Sequence, residues 1–388
     1  MRWVSYFPEI HNLHLTKDVG LIPFYMQEVA GYDAALLGRF PEKEYPALEG
    51  EVQGLEIIKL EDRGTISFLE KAAMDYIKKY AKSIDILQLS HLSRHTLLYG
   101  LIYKRHNPGG QLYIKLDAYN DDLRKRKKYA RSKLKNAVLS RLERRFFKVV
   151  DLISIENKEG IDIAQQTYPE WSYKLIYIPL GANDRYLKKH FQKPVPKENL
   201  IISVGRIGSA EKNYDLLIRS LPFLKLGDWK MILIGDVTPE FQQAWTEISL
   251  AHPAVANQIS FTGNISNRLE LYGYYQKSRV FFLPSRVESF GISFVEALYF
   301  GNLLVGHGGM YAYGDLSDQG RHGTYFEDND PTDFAEAIHR AMAMTTTRDN
   351  ELAEEIARHG AKEFHWTSIA ERLQEALAQR RLGEKSKI

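Results

Sequence analysis

The stretch VFFLPSRVESFGISFVE (280–296) decides the fold. Its first part, VFFLPS (280–285), is a short apolar run closed by Pro-Ser, which reads as a buried strand. A polar loop with Glu288 follows, then a Ser-Phe-Gly turn that opens into an apolar helix carrying Glu296. Strand, loop and helix in this order are the repeating step of an α/β sheet. The two carboxylates lie eight residues apart. In a helix that separation is a rise of about 12 Å. A glycosidase acid/base pair needs roughly 5 to 9.5 Å, so a hydrolase pair is not the natural reading. A long ligand gripped at two points is. The helix start near Phe290 and Gly291 offers free N–H groups and the positive end of the dipole, which suit a phosphate. Two Glu beside a helix start also serve as cap and dipole partners, so this stretch alone leaves both roles open.

The same alternation runs outward in both directions. Strands are expected at 3–7, 33–38, 55–60, 85–90, 112–117, 151–156 and 174–179, with a helix over 66–82 among the segments between them. The run DRYLKKHFQKPVPKEN (184–199) is polar, holds Pro194 and Pro196, and reads as a linker. The alternation then restarts with strands at 200–205, 229–235, 258–263, 280–285 and 303–308, and helices over 213–224 and from about Pro239. The expected architecture is therefore α/β, with two Rossmann-like domains whose parallel sheets face a central cleft. The domains are 1–183 and 200–365, joined by 184–199; a last helix within 366–388 finishes the second domain or crosses back to the first.

At 388 residues, 44% hydrophobic and 26% charged, the chain has material for two cores. It has no cysteine, which excludes disulfides, thiolate metal sites and thiol nucleophiles and is compatible with a reducing cytoplasm. The first 18 residues are too polar for a signal peptide, and no apolar run reaches the roughly 18 residues of a membrane span. The formal charge of +3 hides an asymmetry: 124–148 carries twelve Lys or Arg against Glu143 alone. Leu134, Val138, Leu142 and Phe146 recur there at helical spacing, so the segment reads as a basic amphipathic helix. Its basic side is either the solvated face of a core helix or a surface for anionic membrane. Nucleic acid is not expected, because no reader motif accompanies the charge.

The second half opens with LIISVGRIGSAEKN (200–213), where a strand ends at Gly205 and Arg206 and Lys212 follow before the next helix. In open α/β sheets ligands bind beyond the carboxyl ends of strands. A guanidinium and an ammonium there would neutralise a diphosphate without a metal. Neither a Walker A loop nor a dinucleotide fingerprint fits the glycine pattern.

Together these segments resemble the GT4-type family of retaining glycosyltransferases, which have the GT-B fold. The resemblance rests on Val204-Gly205-Arg206, Lys212-Asn213, Gly235, Phe261-Thr262-Gly263, Pro284-Ser285, Glu288-Ser289-Phe290-Gly291 and Glu296-Ala297-Leu298. It covers about 200–335, with weaker echoes in IPLGAN (178–183) and FHW (364–366). It implies that Arg206 and Lys212 bind the donor diphosphate, with Gly205 letting the backbone approach. Glu296 would bind the ribose. Glu288 would lie by the donor sugar and stabilise charge at the anomeric carbon. Ser289, Phe290, Gly291 and Ile292 would meet sugar and phosphate, Asn264 and Ile265 would lie by the base, and Gly20 would approach the diphosphate from a loop after the first strand.

The sequence departs from the family where an N-domain His is usual: Lys115-Leu116-Asp117 stands there, so Asp117 or His91 would take that part. The implied reaction is transfer of a hexose-type sugar from a nucleotide-diphosphate sugar to a glycan, lipid-linked or protein-linked acceptor. No cofactor and no metal are expected; Asp328-Asn329-Asp330 reads as turn and helix-cap chemistry rather than a metal motif. A homo-oligomer is compatible with the sequence. Two other readings compete: a sugar-nucleotide epimerase of the same architecture, which would want more acid/base groups, and a non-catalytic transferase-like partner.

Overall fold

The computed structural model describes residues 1–62, 64–66, 69–117, 120–125, 133–286, 288–327 and 329–385. The chain forms two compact units, Met1–Tyr186 with Trp366–Ile388, and Leu187–His365.

In the first unit the strands are β1 (Arg2–Glu9), β2 (Asp33–Arg39), β3 (Glu56–Lys59), β6 (Ile86–Ser90), β7 (Gln111–Leu116), β8 (Leu152–Ile155) and β9 (Leu175–Tyr177). They make one sheet in the order β3-β2-β1-β6-β7-β8-β9, and each neighbouring pair is parallel. A small antiparallel hairpin, β4 (Thr65–Ile66) with β5 (Leu69–Glu70), stands apart. It takes the first residues of the helix expected over 66–82, which spans Lys71–Tyr80 instead.

The chain returns to this unit at its end. The helix Trp366–Lys385 buries Trp366, Ile369, Ala370, Leu373 and Leu377 in the core that Trp3, Leu21, Tyr25 and Met26 also build. Its first turn is capped by Asp184, whose carboxylate accepts from Thr367 N at 3.0 Å and Thr367 Oγ1 at 2.7 Å.

The second unit holds β10 (Glu198–Val204), β11 (Lys230–Ile234), β12 (Ile259–Gly263), β13 (Ser278–Leu283), β14 (Leu303–His307) and β15 (Gly323–Phe326) in the order β12-β11-β10-β13-β14-β15. Again each pair is parallel. Val280, Phe281, Phe282 and Leu283 are fully buried because β13 is a central strand covered on both faces. The stretch 184–199, read as a linker, is helical over Asp184–His190, and its last two residues open β10. The helix expected over 213–224 is only Asp215–Ser220, since Asn213 sits at φ +56°, outside the helical region.

The basic helix spans Lys133–Val149, and its lead-in 126–132 lies outside the described residues. Its buried side is rotated from the expected stripe. Phe146 and Phe147 enter the core, whereas Val138 is 56% exposed beside the exposed Arg141, Arg144, Arg145 and Lys148. Among the described residues no helix is long and apolar enough to cross a membrane.

Candidate active site

The strand order of the second unit reverses between β10 and β13, and at such a switch point the loops after the strands diverge and leave a crevice. Two loops descend there, one after Val204 and one after Leu283. Gly235, at the end of β11, is held at φ +139°, and a β-carbon on it would lie 1.9 Å from the Gly205 carbonyl oxygen. The chain can therefore pass beside Gly205 only as glycine.

Asn213 stitches the two loops. Its Nδ2 donates to the Pro284 carbonyl at 3.1 Å, and its Oδ1 accepts from Arg286 Nε at 3.1 Å. The Arg286 N–H donates to the Glu211 carbonyl at 3.1 Å. With the loops fixed, Lys212 Nζ forms an ion pair with Glu288 Oε1, which also accepts from the buried Ser285 Oγ at 2.9 Å. Lys212 and Glu288 are 20% and 15% exposed. The diphosphate cation and the sugar carboxylate of the sequence reading thus touch each other directly.

Arg206 lies in the same loop, 70% exposed, and pairs with Glu211. Glu211 is held below the usual carboxylate range by a backbone N–H and then by the Arg206 charge. This acid competes with any incoming phosphate for Arg206, and the sequence reading passed over it.

The helix Ile292–Tyr299 begins at Gly291, whose φ of +91° admits glycine without strain. Phe290 is fully buried and Ser289 half-buried. Four residues into this helix Glu296 is firmly held. Its Oε1 accepts from Arg268 Nη2 and Tyr272 OH, both at 3.0 Å, and its Oε2 from Tyr275 OH at 3.2 Å. Burial, followed by the Glu296 charge, pushes the Tyr275 phenol well above its usual range, so it stays a donor. These contacts fill three of the roughly four acceptor directions of a carboxylate. Asn264, exposed, and Ile265, half-buried, follow β12 at the same strand-ending edge.

On the first unit His91 and Asp117 follow the neighbouring strands β6 and β7 and meet: His91 Nδ1 lies 3.3 Å from the Asp117 carbonyl oxygen. His91 is held at φ +59°, an uncommon conformation for histidine. Gly20 is corrected. It lies in the first turn of the helix Asp18–Glu28, not in a loop, and a β-carbon there would meet the Leu15 carbonyl oxygen at 2.4 Å. The small residue serves the packing of that helix on the preceding chain.

Asp330 caps the helix Pro331–Phe364 by accepting from Thr332 N at 2.8 Å, and Asn329 accepts from Asn213 Nδ2 at 2.9 Å. Asp328 lies outside the described residues. A cavity of about 800 Å³ opens among Lys188, Lys197, Gln276, Tyr299, Phe300 and His365. Four of these precede the starts of β10, β13 and β14, so it lies at the edge opposite the ligand loops.

The second unit thus carries a lysine–glutamate ion pair and a glycine-capped helix start at the switch point of its parallel sheet. Residues 186–363 match the family described as glycosyl transferases group 1. A glycogen synthase of Lactiplantibacillus plantarum is 28% identical over 203 residues, 50% of this chain and 40% of its own. One of Edwardsiella ictaluri is 32% identical over 143 residues, 34% of this chain and 29% of its own. The chain thus spans less than half the length of these curated relatives.

Among solved structures, a lipopolysaccharide outer core galactosyltransferase, WaaB, superposes with a TM-score of 0.70 at 12% identity, over 98% of this chain and 100% of that one. Anabaena HepE in complex with UDP gives 0.69 at 15%, over 98% and 100%. At these identities the likeness speaks for the fold, which is GT-B.

Proposed function

We propose that this chain is a retaining glycosyltransferase that moves a hexose-type sugar from a UDP- or GDP-sugar to a glycan, lipid-linked or protein-linked acceptor. One observation carries the reading: Lys212 and Glu288 meet at the switch point beside the helix start at Gly291. In this reading the pair is a placeholder. The donor diphosphate draws Lys212 and Arg206 to itself, and the sugar hydroxyls take their place on the two acids.

The anomeric C–O bond to the phosphate breaks and the acceptor oxygen bonds to the same face. The acceptor proton goes to the departing phosphate oxygen. Growing charge on that phosphate is met by Lys212, Arg206 and the helix N-terminus, and Glu288 stabilises the positive anomeric carbon. Glu296, oriented by Arg268, Tyr272 and Tyr275, takes the ribose, and Asn264 and Ile265 flank the base. Asp117 and His91 act as one hydrogen-bonded group for the acceptor. With two cations from the chain, the proposal uses no metal. A chain without cysteine suits a reducing cytoplasm.

The exposed Arg141, Arg144, Arg145 and Lys148 are proposed to touch an anionic membrane surface. Reversing Arg144 and Arg145 to Glu should then weaken co-sedimentation with anionic vesicles; unchanged binding leaves a solvated face. A thermal-shift panel of UDP-, GDP-, dTDP- and ADP-sugars selects the donor. With it, Lys212→Ala and Glu288→Ala should each lower turnover about 10²- to 10³-fold in protein whose circular dichroism is unchanged. Near-normal turnover in either refutes the site.

A further inference from the structure

At the edge of the second unit's sheet opposite the ligand loops, four metal-binding side chains come together in two pairs. Asp318 and His322 stand four residues apart in the turn that leads into β15, and Glu355 and His359 stand one helical turn apart on the helix Pro331–Phe364. One ligand atom from each of Asp318, His322 and His359 lies within 4.8 Å of the others. The imidazoles of His322 and His359 have ring centroids 4.8 Å apart, and Glu355 Oε1 lies 3.7 Å from His322 Nε2.

His322 is only 3% exposed, and neither of its ring nitrogens has a hydrogen-bond partner; the buried His359 Nε2 has none either. Unpaired buried polar atoms are costly. One nitrogen from each of the two rings can face the neighbouring carboxylates, an arrangement that suits a ligand accepting electron pairs. The carboxylates have alternative partners at present: Arg321 Nη1 lies 3.3 Å from Asp318, and Arg348 Nη2 2.7 Å from Glu355. Both arginines are partly exposed and can turn to solvent.

We propose that Asp318, His322 and His359, with Glu355 as the fourth ligand, bind one structural zinc ion. Two imidazoles with two carboxylates suit zinc better than calcium or magnesium, which take all-oxygen sets. Zinc bonds of about 2.0–2.1 Å place tetrahedral donors roughly 3.4 Å apart, so the donors of Asp318, His322 and His359, within 4.8 Å of one another, close by side-chain rotation over up to about 1.4 Å, and Glu355 swings in beside His322. The ion has no part in transfer, because Leu304 N donates to the His322 carbonyl and thereby sets this turn at the strand-starting edge. It fastens the edge strand β15 to the long helix. The turn needs fastening, since Asp318, Gln319 and Gly320 all adopt positive φ, at 48°, 55° and 90°, which is unfavourable for the first two.

The test uses the full chain without a histidine tag, stripped by a chelator and then titrated with Zn²⁺ or Co²⁺. One zinc per chain by elemental analysis, a rise in the thermal midpoint with Zn²⁺, and the visible bands of tetrahedral Co²⁺ are expected. His359→Gln and Asp318→Asn, which keep side-chain volume, should each weaken Zn²⁺ binding by at least about tenfold and lose the thermal rise. Glu288→Ala should keep both, so this result is independent of the transferase reading. Absence of stoichiometric zinc in the parent chain, or an equal thermal rise in His359→Gln, overturns the site.

Discussion

Arg206 and Glu211 pose the sharpest question at the scale of single residues. Both are largely solvent-facing, so their mutual attraction is weak and screened. If Arg206 must leave Glu211 to meet a diphosphate, Glu211→Gln removes a competitor. The donor KM should fall, by no more than about fivefold given the modest strength of exposed pairs, with kcat little changed. A raised KM would mean that Glu211 orients Arg206 instead. The main groups here were legible from local spacing. Lys212 and Glu288 each close a strand-to-loop passage that one sequence window displays. The holders of Glu296 were not legible. Arg268, Tyr272 and Tyr275 sit 21 to 28 residues upstream on another helix, and only the packing of that helix against Ile292–Tyr299 brings them in. Their spacing on one helical face was the available signal. Gly20 lies in a helix rather than the expected loop; a glycine near a strand end reads equally as a loop and as a close helix contact.

Among elements, the buried strands were the most legible, because parallel strands covered on both faces become unbroken apolar runs. β15 escaped notice: it has four residues, and Tyr325 is 50% exposed on this edge strand. The ends of helices were hidden as well, since their partners are distant in sequence. Lys197, in the coil before β10, is the clearest case. Its Nζ donates to the carbonyls of Tyr275 at 3.4 Å, Ser278 at 2.8 Å and Phe300 at 2.6 Å. It thus satisfies the carboxyl ends of two helices, Arg268–Lys277 and Ile292–Tyr299. Lys197→Met keeps the apolar stem and leaves those carbonyls unpaired, so it should cost about 2 kcal/mol by denaturant titration at pH 7. Burial, and then the Arg279 charge, pushes the Lys197 ammonium down to about 7. Above that pH the unfolded chain holds a proton that the folded chain has lost, so this lysine makes stability rise with pH. The deficit of Lys197→Met should therefore widen between pH 7 and pH 9. A gap that stays constant would show that the ammonium keeps its charge in the fold.

For the molecule as a whole, the alternation of strands and helices announced two α/β units, but not which unit would claim the last helix. Periodicity reports that a helix has an apolar face, not what covers it. Trp366, Ile369, Ala370, Leu373 and Leu377 are each no more than 2% exposed, and they cover the first unit's core. Gln111 Nε2 adds a buried bond to the Leu377 carbonyl at 2.9 Å. The first unit is therefore discontinuous in sequence, and its stability depends on residues that follow the whole second unit. A chain ended at His365 would expose that core face and leave the Asp184 carboxylate without the N–H and hydroxyl it accepts from. Losing the Trp366 side chain alone, as in Trp366→Ala, costs about 3–5 kcal/mol when a large aromatic leaves a packed core. Removing the whole helix should exceed the net stability of about 5–15 kcal/mol typical of a domain. Calorimetry should then show the first unit's transition lowered in Trp366→Ala and absent in the shortened chain, while the second unit, which keeps all its strands, still unfolds cooperatively. An unchanged first-unit transition in the shortened chain would mean that residues 1–186 carry a complete core of their own.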